Sequence, residues 1–198
     1  DDDLDDLLAI EQLCDGGANI LDPVREVSVW TAPLGLANAE LVVTKLRQMG
    51  TAFVATHDNG TASTFDDVPN WDLIRVSALD MDEGTADSLA NHFSGHEEMY
   101  VVKAMLPYNG LWAVDFTLAG VDKAAGISRV GETLGVNPAN MVAVGDSYND
   151  LPMLEVCGLS VAMGNAPPEV RAAADFVVPS VENDGLAAAI NDHVLPRL

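Results

Sequence analysis

Basic residues are scarce in this chain, and their scarcity excludes several classes of partner. Nine Lys and Arg residues stand against 31 Asp and Glu residues, which gives 198 residues a formal net charge of −22. Proteins bind nucleic acid and anionic membrane surfaces mainly through Lys and Arg, so we expect neither as a partner. The same balance disfavours an anionic ligand unless a cation screens its charge locally.

Cysteine and long apolar runs are also lacking. Cys14 and Cys157 match no metal-binding or redox spacing, so a reducing compartment is the simpler interpretation. No apolar run has the length of a membrane span, and no signal peptide precedes a cleavage-like site. Hydrophobic residues still make up 48% of the chain, which is enough for ordinary protein cores. We therefore expect a soluble, cytoplasmic protein.

The first part of the chain mixes helical and strand-like patterns. The N-terminal run DDDLDDLLAI indicates a frayed start, and LCDGGANILDP predicts a strand, a glycine turn and a second strand. Between residues 38 and 118 we predict an open sheet covered by about two helices. The predicted helices are residues 37–50 and 82–95, the predicted strands are 51–57, 71–79, 97–106 and 110–118, and residues 58–70 are predicted as a polar loop.

After Gly120 helix and strand alternate with short loops, which is typical of a doubly wound parallel sheet. The predicted helices are residues 121–135, 149–158, 167–174 and 183–192, and the predicted strands are 141–145, 159–164 and 175–178. The fold class expected for the whole chain is α/β, with a Rossmann-like doubly wound parallel-sheet core in its C-terminal part and an inserted α/β cap domain.

The stretch MVAVGDSYNDLPML, residues 141–154, carries the strongest chemical signal. Asp146 follows a buried strand at the sheet edge where ligands of parallel sheets bind, and Asn149 and Asp150 fall at the start of the next helix. A carboxylate there can hold Mg²⁺ while the helix end and an amide hold phosphate oxygens. Helix capping by the same three side chains is an equally compatible interpretation from the spacing alone.

An ordered set of motifs in residues 122–190 resembles a known family. GDSYND followed by ML, then VAMGNA, AAADFVV and NDGLAAAI, is similar to the C-terminal half of haloacid dehalogenase-like phosphatases, in the sugar-phosphatase (Cof-like) branch. CDGGANILDP, residues 14–23, resembles the strand-turn-strand that opens the cap in that branch, with Gly16 where the family usually has Asn. The implied division is residues 1–23 as the end of an N-terminal core segment, 24–118 as the cap and 119–198 as the C-terminal part of the core.

The resemblance also implies roles for four side chains. Lys123 matches the lysine that neutralises the phosphate and the aspartyl nucleophile, and Asp146 matches the aspartate that ligates Mg²⁺. Asp150 matches the second acidic position of that motif, a catalytic residue in or near the metal shell, and Asn149 matches the asparagine that contacts the phosphoryl group. The implied function is Mg²⁺-dependent hydrolysis of a small phosphorylated metabolite, such as a sugar phosphate, through an aspartyl-phosphate.

The nucleophile that this chemistry needs is not found in the sequence. The family's Asp-x-Asp-Gly-Thr motif is absent, and DLDDLL, residues 3–8, lacks both Gly-Thr and a preceding apolar strand. We therefore expect that this chain lacks the first core segment and is inactive alone, while the intact protein is a phosphomonoesterase. A non-catalytic binding module and, less favoured, the cytoplasmic domain of a P-type ATPase are the alternatives.

Several lesser candidates lie in the predicted cap. His57 and Asp58 follow a predicted strand and are candidate substrate-specificity residues, although a plain polar turn is the competing interpretation. His92 and His96 have a zinc-like spacing, but the intervening Phe-Ser-Gly weakens a helix there, which favours surface histidines. Three aromatic residues are expected to pack in or around the cap core, namely Trp71, Trp112 and Phe116.

Overall fold

The computed structural model of the protein describes residues 12–58, 60–68, 71–106 and 108–197. The acidic N-terminal run and the DLDDLL stretch lie outside the described residues, as does Pro107 of the predicted hairpin turn. The chain divides into two compact units, with the division after Gly126. No described helix combines the length and the apolar character needed to cross a membrane.

The first unit contains two antiparallel sheets. Its strands and helices are β1 (Gln12–Cys14), β2 (Asn19–Asp22), β3 (Val27–Thr31), α1 (Leu36–Met49), β4 (Phe53–His57), β5 (Gly60–Ala62), β6 (Leu73–Met81), α2 (Glu83–Phe93), β7 (Met99–Met105) and β8 (Trp112–Leu118). In the described residues, β1-β2-β3 form one sheet and β5-β4-β6-β8-β7 form the other. Helix α3 (Lys123–Leu134) begins in this unit and ends in the second.

The core of the first unit lies between the five-stranded sheet and the helices α1 and α2. Helix α1 buries Val42 and Leu46, which are one turn apart and so lie on the same face, and it ends at Gly50 in a left-handed conformation. Helix α2 contributes Phe93, whose ring lies 5.0 Å from that of Phe116 on β8 in an edge-to-face arrangement. The predicted sheet and its two helices are confirmed.

Two edge strands were not predicted. Strand β5 lies inside the segment predicted as a polar loop, where it pairs with β4 in an antiparallel hairpin. Strand β3 pairs with β2 and presents Val27 and Val29 to solvent. Both strands lie at the edge of a sheet, so their burial does not alternate clearly and the period-two pattern that indicates a strand is missing.

The second unit contains a parallel sheet in the order β11-β10-β9. Its described elements are β9 (Val142–Gly145), α4 (Leu151–Val156), β10 (Leu159–Ala162), α5 (Pro168–Ala173), β11 (Phe176–Val177) and α6 (Gly185–Ala188), followed by a π-helical turn over Ala189–Val194 and a 3₁₀ turn over Leu195–Arg197. This confirms the predicted alternation of helix and strand. Its buried residues are mostly small, such as Ala143, Ala162 and Ala166.

The pairing of the parallel strands determines which loops meet. Strands β9 and β10 run in register from Val142 opposite Leu159 to Gly145 opposite Ala162. Their carboxyl ends therefore lie side by side, and the loops that follow, 146–150 and 163–166, share one edge of the sheet. This is the edge at which parallel sheets bind ligands.

Candidate active site

The loop after β9 is folded around the carboxylate of Asp150. Its Oδ2 accepts hydrogen bonds from the backbone N–H of Asp146 at 2.8 Å and of Ser147 at 2.9 Å. Asp150 is only 3% exposed, and it forms a reciprocal capping box with Ser147. A Cβ on Gly145 would lie 2.6 Å from the Cβ of Asp150, so only glycine allows this approach. Asp150 thus fixes the backbone that carries Asp146.

Asp146 is placed differently from Asp150. Its side chain is exposed, and its Oδ2 accepts a long hydrogen bond of 3.4 Å from Nδ2 of Asn165. Asn165 lies in the loop after β10, and its Oδ1 accepts from the backbone N–H of Val181 at 3.0 Å. The capping interpretation therefore describes Asp150, whereas the Asp146 carboxylate faces solvent at the edge of the sheet.

Asn165 is the residue of this site that the sequence reasoning missed. It lies in the VAMGNA motif, but the motif alone does not tell which groups its amide meets. The structure shows that one end of the amide contacts Asp146 and the other end is bound by the backbone of Val181. Since Val181 N–H holds the amide oxygen, the amide nitrogen is oriented toward the carboxylate.

The donor set of the loop fits Mg²⁺. The Asp146 carboxylate is exposed, and the side-chain Oδ1 of Asn149 is buried without a hydrogen-bond partner among the described residues. An orphaned buried acceptor is costly and is usually matched by a donor, a water or an ion. Magnesium takes oxygen ligands, few carboxylates and several waters. Among the described residues, no group of three or more His, Cys, Asp or Glu side chains is arranged to hold a metal ion.

Lys123 lies in the first unit, at the first position of α3. Asp122 caps this helix, because its Oδ1 accepts from the backbone N–H of Ala125 at 2.9 Å. A Cβ on Gly17 would lie 2.0 Å from the carbonyl oxygen of Asp122, so the turn at Asp15–Gly17 contacts the helix start directly. Asp146, Asn149 and Asp150 belong to the second unit, and that Lys123 shares a site with them stays a prediction.

The charge of Asp122 also affects a neighbouring phenol in the first unit. The pKa of Tyr100 is raised, first because its hydroxyl is partly buried and second because the Asp122 carboxylate disfavours a phenolate. Tyr100 therefore stays neutral and able to donate a hydrogen bond over the physiological pH range.

His57 and Asp58 line a cavity of about 810 Å³ in the first unit, together with residues of β2 and β3. Beside it, Asp15 Oδ2 accepts from Asn19 Nδ2 and Asp15 Oδ1 accepts from Thr56 Oγ1, both at 3.2 Å. This network was not predicted from the sequence, since its bond between Asp15 and Thr56 joins positions 41 residues apart. A role of His57 and Asp58 in specificity stays a prediction.

The remaining candidates are two histidines, His92 and His96, which are exposed as expected, and three packing aromatic residues. Helix α2 ends at Phe93, so His92 and His96 do not share a helical face, and both rings contact the ring of Phe93. Phe116 is fully buried in the core of the first unit, and Trp71 and Trp112 are partly buried against it. The expectation of packing roles for the three aromatic residues is confirmed.

Comparison with families and curated proteins gives a consistent result. The model of a family described as haloacid dehalogenase-like hydrolase matches residues 38–190. A phosphoglycolate phosphatase from Halorubrum lacusprofundi is 36% identical over 164 residues, which is 82% of this chain and 66% of that protein. A 5-amino-6-(5-phospho-D-ribitylamino)uracil phosphatase from Bacillus subtilis is 42% identical over 82 residues, 41% of this chain and 33% of that protein. The chain thus spans between a third and two thirds of these relatives.

Solved structures share the fold. A haloacid dehalogenase-like hydrolase from B. subtilis has a TM-score of 0.80 at 17% identity, covering 96% of this chain and 82% of that one. A subclass IIB sugar phosphatase of the same superfamily has a TM-score of 0.78 at 18% identity, covering 96% of this chain and 77% of that one. The expected α/β fold class is confirmed, and so is the resemblance found in the sequence.

Proposed function

This chain belongs to the haloacid dehalogenase-like hydrolase family, and we propose on that basis that it is part of a Mg²⁺-dependent phosphatase that hydrolyses small phosphorylated metabolites such as sugar phosphates. The single observation that carries the proposal is the exposed Asp146 carboxylate at the carboxyl edge of a parallel sheet, on a loop held by the buried Asp150. The phosphatases among its relatives and the sugar phosphatase that shares its fold support the same assignment.

Magnesium, when bound, would neutralise phosphate oxygens and orient the phosphoryl group. In this proposal Asp146 holds the metal, and Asp150 acts as a catalytic residue in or near the metal shell, where it keeps the loop in place through the two backbone N–H groups. Asn149 contacts the phosphoryl group. Lys123 adds a positive charge for the phosphate, and it is the one basic residue among the four proposed site residues, since the other three are two carboxylates and an amide.

The overall charge gives an independent reason for a metal. A chain with a formal net charge of −22 repels an anionic phosphate ester, and this repulsion must be offset locally. A divalent cation at Asp146 and the ammonium group of Lys123 would provide that offset. The aspartate that accepts the phosphoryl group is assigned to none of the 198 residues, since the Asp-x-Asp-Gly-Thr motif does not occur among them.

The remaining expectations follow from the same proposal. Residues 24–118 would form the cap that selects the leaving group, residues 1–23 would end the N-terminal core segment, and residues 119–198 would complete the core. We propose a cytoplasmic location and a small phosphorylated metabolite as the ligand, with neither nucleic acid nor membrane as a partner.

The test is phosphate release by the full-length protein. A panel of phosphorylated sugars and phosphoglycolate is incubated with Mg²⁺ and, in parallel, with EDTA. We expect phosphate release only when the metal is present. Asp146→Asn should reduce the release at least about 100-fold, because residues that merely hydrogen-bond to metal ligands already contribute up to about that much to activity. Asp192→Asn is the control, because Asp192 is exposed in the π-helical turn Ala189–Val194.

Two outcomes would reject the proposal. Undiminished release by Asp146→Asn would reject the metal site, since a neutral amide is a much poorer ligand for magnesium than a carboxylate. No release from any substrate, with Mg²⁺ and with the protein folded, would favour the non-catalytic binding module instead.

A further inference from the structure

The cavity of the first unit has the size of a ligand site. Its volume of about 810 Å³ lies within the roughly 300–1,000 Å³ of small-molecule pockets. Its walls come from β2, from β3 with the turn before it, and from the β4–β5 hairpin. The edge strands that the sequence did not predict, β3 and β5, are thus part of this cavity.

The lining of the cavity is acidic and aromatic. Glu26 and Asp58 contribute exposed carboxylates, and Trp30 contributes an indole that is half-buried against Ala18 and Ala32. None of the described residues that line the cavity is Lys or Arg. The two carboxylates therefore favour a ligand that carries positive charge over an anionic one.

The charge of Arg75, which lies behind the lining, is already paired with carboxylates. Its guanidinium is 3.7 Å from a carboxylate oxygen of Asp15 and 3.5 Å from one of Asp115. The positive charge of Arg75 is therefore paired with two carboxylates. The donors of Asn19 and Thr56, two residues of the lining, are both directed to Asp15.

The amide of Asn19 adds to this polarity. Its Nδ2 donates to Asp15, and its Oδ1 is buried with no hydrogen-bond partner among the described residues. An unmatched amide oxygen contributes a partial negative charge to the wall. The full negative charges of the lining are the carboxylates of Glu26 and Asp58, and a ligand with a positively charged donor complements them.

An organic ammonium group complements these walls best. Cations bind over aromatic faces, Trp being the best of them, and they pair with carboxylates. The hydroxyls of Ser28, Thr31 and Thr61, which also line the cavity, suit a ligand that carries hydroxyl groups. We propose that this cavity binds the leaving group of the substrate, and that this group is a hydroxyl-rich compound bearing an ammonium group, such as an amino sugar.

This proposal rests on the proposed function in one respect, namely that the ligand is the leaving group of a phosphate ester. The connection runs through the turn Asp15–Gly17 within the first unit. Asp15 binds two residues of the cavity wall, and Gly17 contacts the start of the helix that begins at Lys123, the predicted phosphate-binding residue. The cavity and Lys123 are therefore held by the same turn.

The test is calorimetric titration of the 198-residue chain with D-glucosamine and with D-glucose near pH 7, where an amine of this kind is largely protonated. The two sugars differ by one ammonium group in place of a hydroxyl. We expect about tenfold tighter binding of glucosamine, weakening as salt is added. Glu26→Gln and Asp58→Asn should each weaken glucosamine about threefold to fivefold, as exposed ion pairs do, and leave glucose unchanged.

Glu40→Gln is the matched control, because Glu40 is an exposed carboxylate on α1 that does not line the cavity. Equal binding of the two sugars, binding of neither, or an equal loss in Glu40→Gln would overturn the proposal. Because the titration uses no phosphate ester, it is independent of catalysis. Specific glucosamine binding without phosphate release by the full-length protein would keep the cavity and reject the phosphatase, and the reverse result would reject only the cavity.

Discussion

The two units of this protein are built on different principles. The first has antiparallel sheets and a large core that includes Phe53, Phe93 and Phe116, beside a smaller cluster around Ile74. The second has a parallel sheet, and its buried residues form two smaller clusters made mostly of Ala and Val with a few larger side chains. Bulky side chains stabilise the first unit because they bury a large apolar area. In the second unit the small side chains allow strands and loops to approach each other closely.

The difference explains which candidate site can be recognised from the sequence alone. In the second unit, Gly145 lets the Asp150 side chain come close enough to bind the backbone N–H of Asp146. All three residues lie within six positions of the chain, so they form a motif that can be recognised in the sequence. In the first unit, the cavity is assembled from residues that are distant in sequence, such as Asn19 and Asp58. A motif can be read from one segment, but a cavity of this kind needs the fold.

The largest expected effect tests the contrast in the cores. Phe116→Ala should lower the free energy of unfolding of the first unit by about 3–5 kcal/mol, because it removes a fully buried ring that packs on Phe93. All three Trp residues lie in this unit, so urea unfolding followed by Trp fluorescence reports on it. An unchanged midpoint would mean that this core is not what stabilises the unit.

A pair of glycine variants tests the turn Asp15–Gly17, which contacts the start of α3. Gly17→Ala should cost about 3 kcal/mol, since its Cβ would collide with the carbonyl oxygen of Asp122 and its φ is 108°. Gly16→Ala is the matched control, with a φ of 68° and no atom within 4 Å of the added Cβ, and should cost about 1 kcal/mol. Fluorescence-detected unfolding measures both, and equal costs would contradict the contact.

The smallest expected effect concerns the second unit and its pH dependence. The pKa of Asp175 is lowered, first by the hydrogen bond from the backbone N–H of Ser160 and then by its hydroxyl, both at 2.9 Å. Because the folded-state pKa lies below the unfolded value, this carboxylate stabilises the fold above the unfolded pKa of about 3.9, and that stability is lost as the pH falls through the folded value.

Asp175→Asn should therefore lower the melting temperature slightly near neutral pH and make it fall less between about pH 5 and pH 3. Melting followed by circular dichroism over that range measures the difference between variant and wild type. A variant whose melting temperature falls in parallel with that of the wild type would show that the Asp175 carboxylate is not linked to folding.

How much was predictable follows the same division. The alternation of helix and strand after Gly120 and the position of Asp146 could be predicted, because each depends on a local pattern. Strands β3 and β5 could not, since exposed edges lack periodic burial. Asn165 was quoted within its motif without a role, because its orientation depends on the distant backbone N–H of Val181.

The central claim is that Asp146 and its loop form a magnesium site, and amide NMR of the 198-residue chain titrated with Mg²⁺ tests it most directly. The account predicts that the largest, saturable shifts fall on Gly145, Asp146 and Ser147, and that Asp146→Asn abolishes them while Asp192→Asn does not. Shifts spread over the acidic surface of both units, and unchanged by Asp146→Asn, would show that the ion binds this chain only through its excess negative charge.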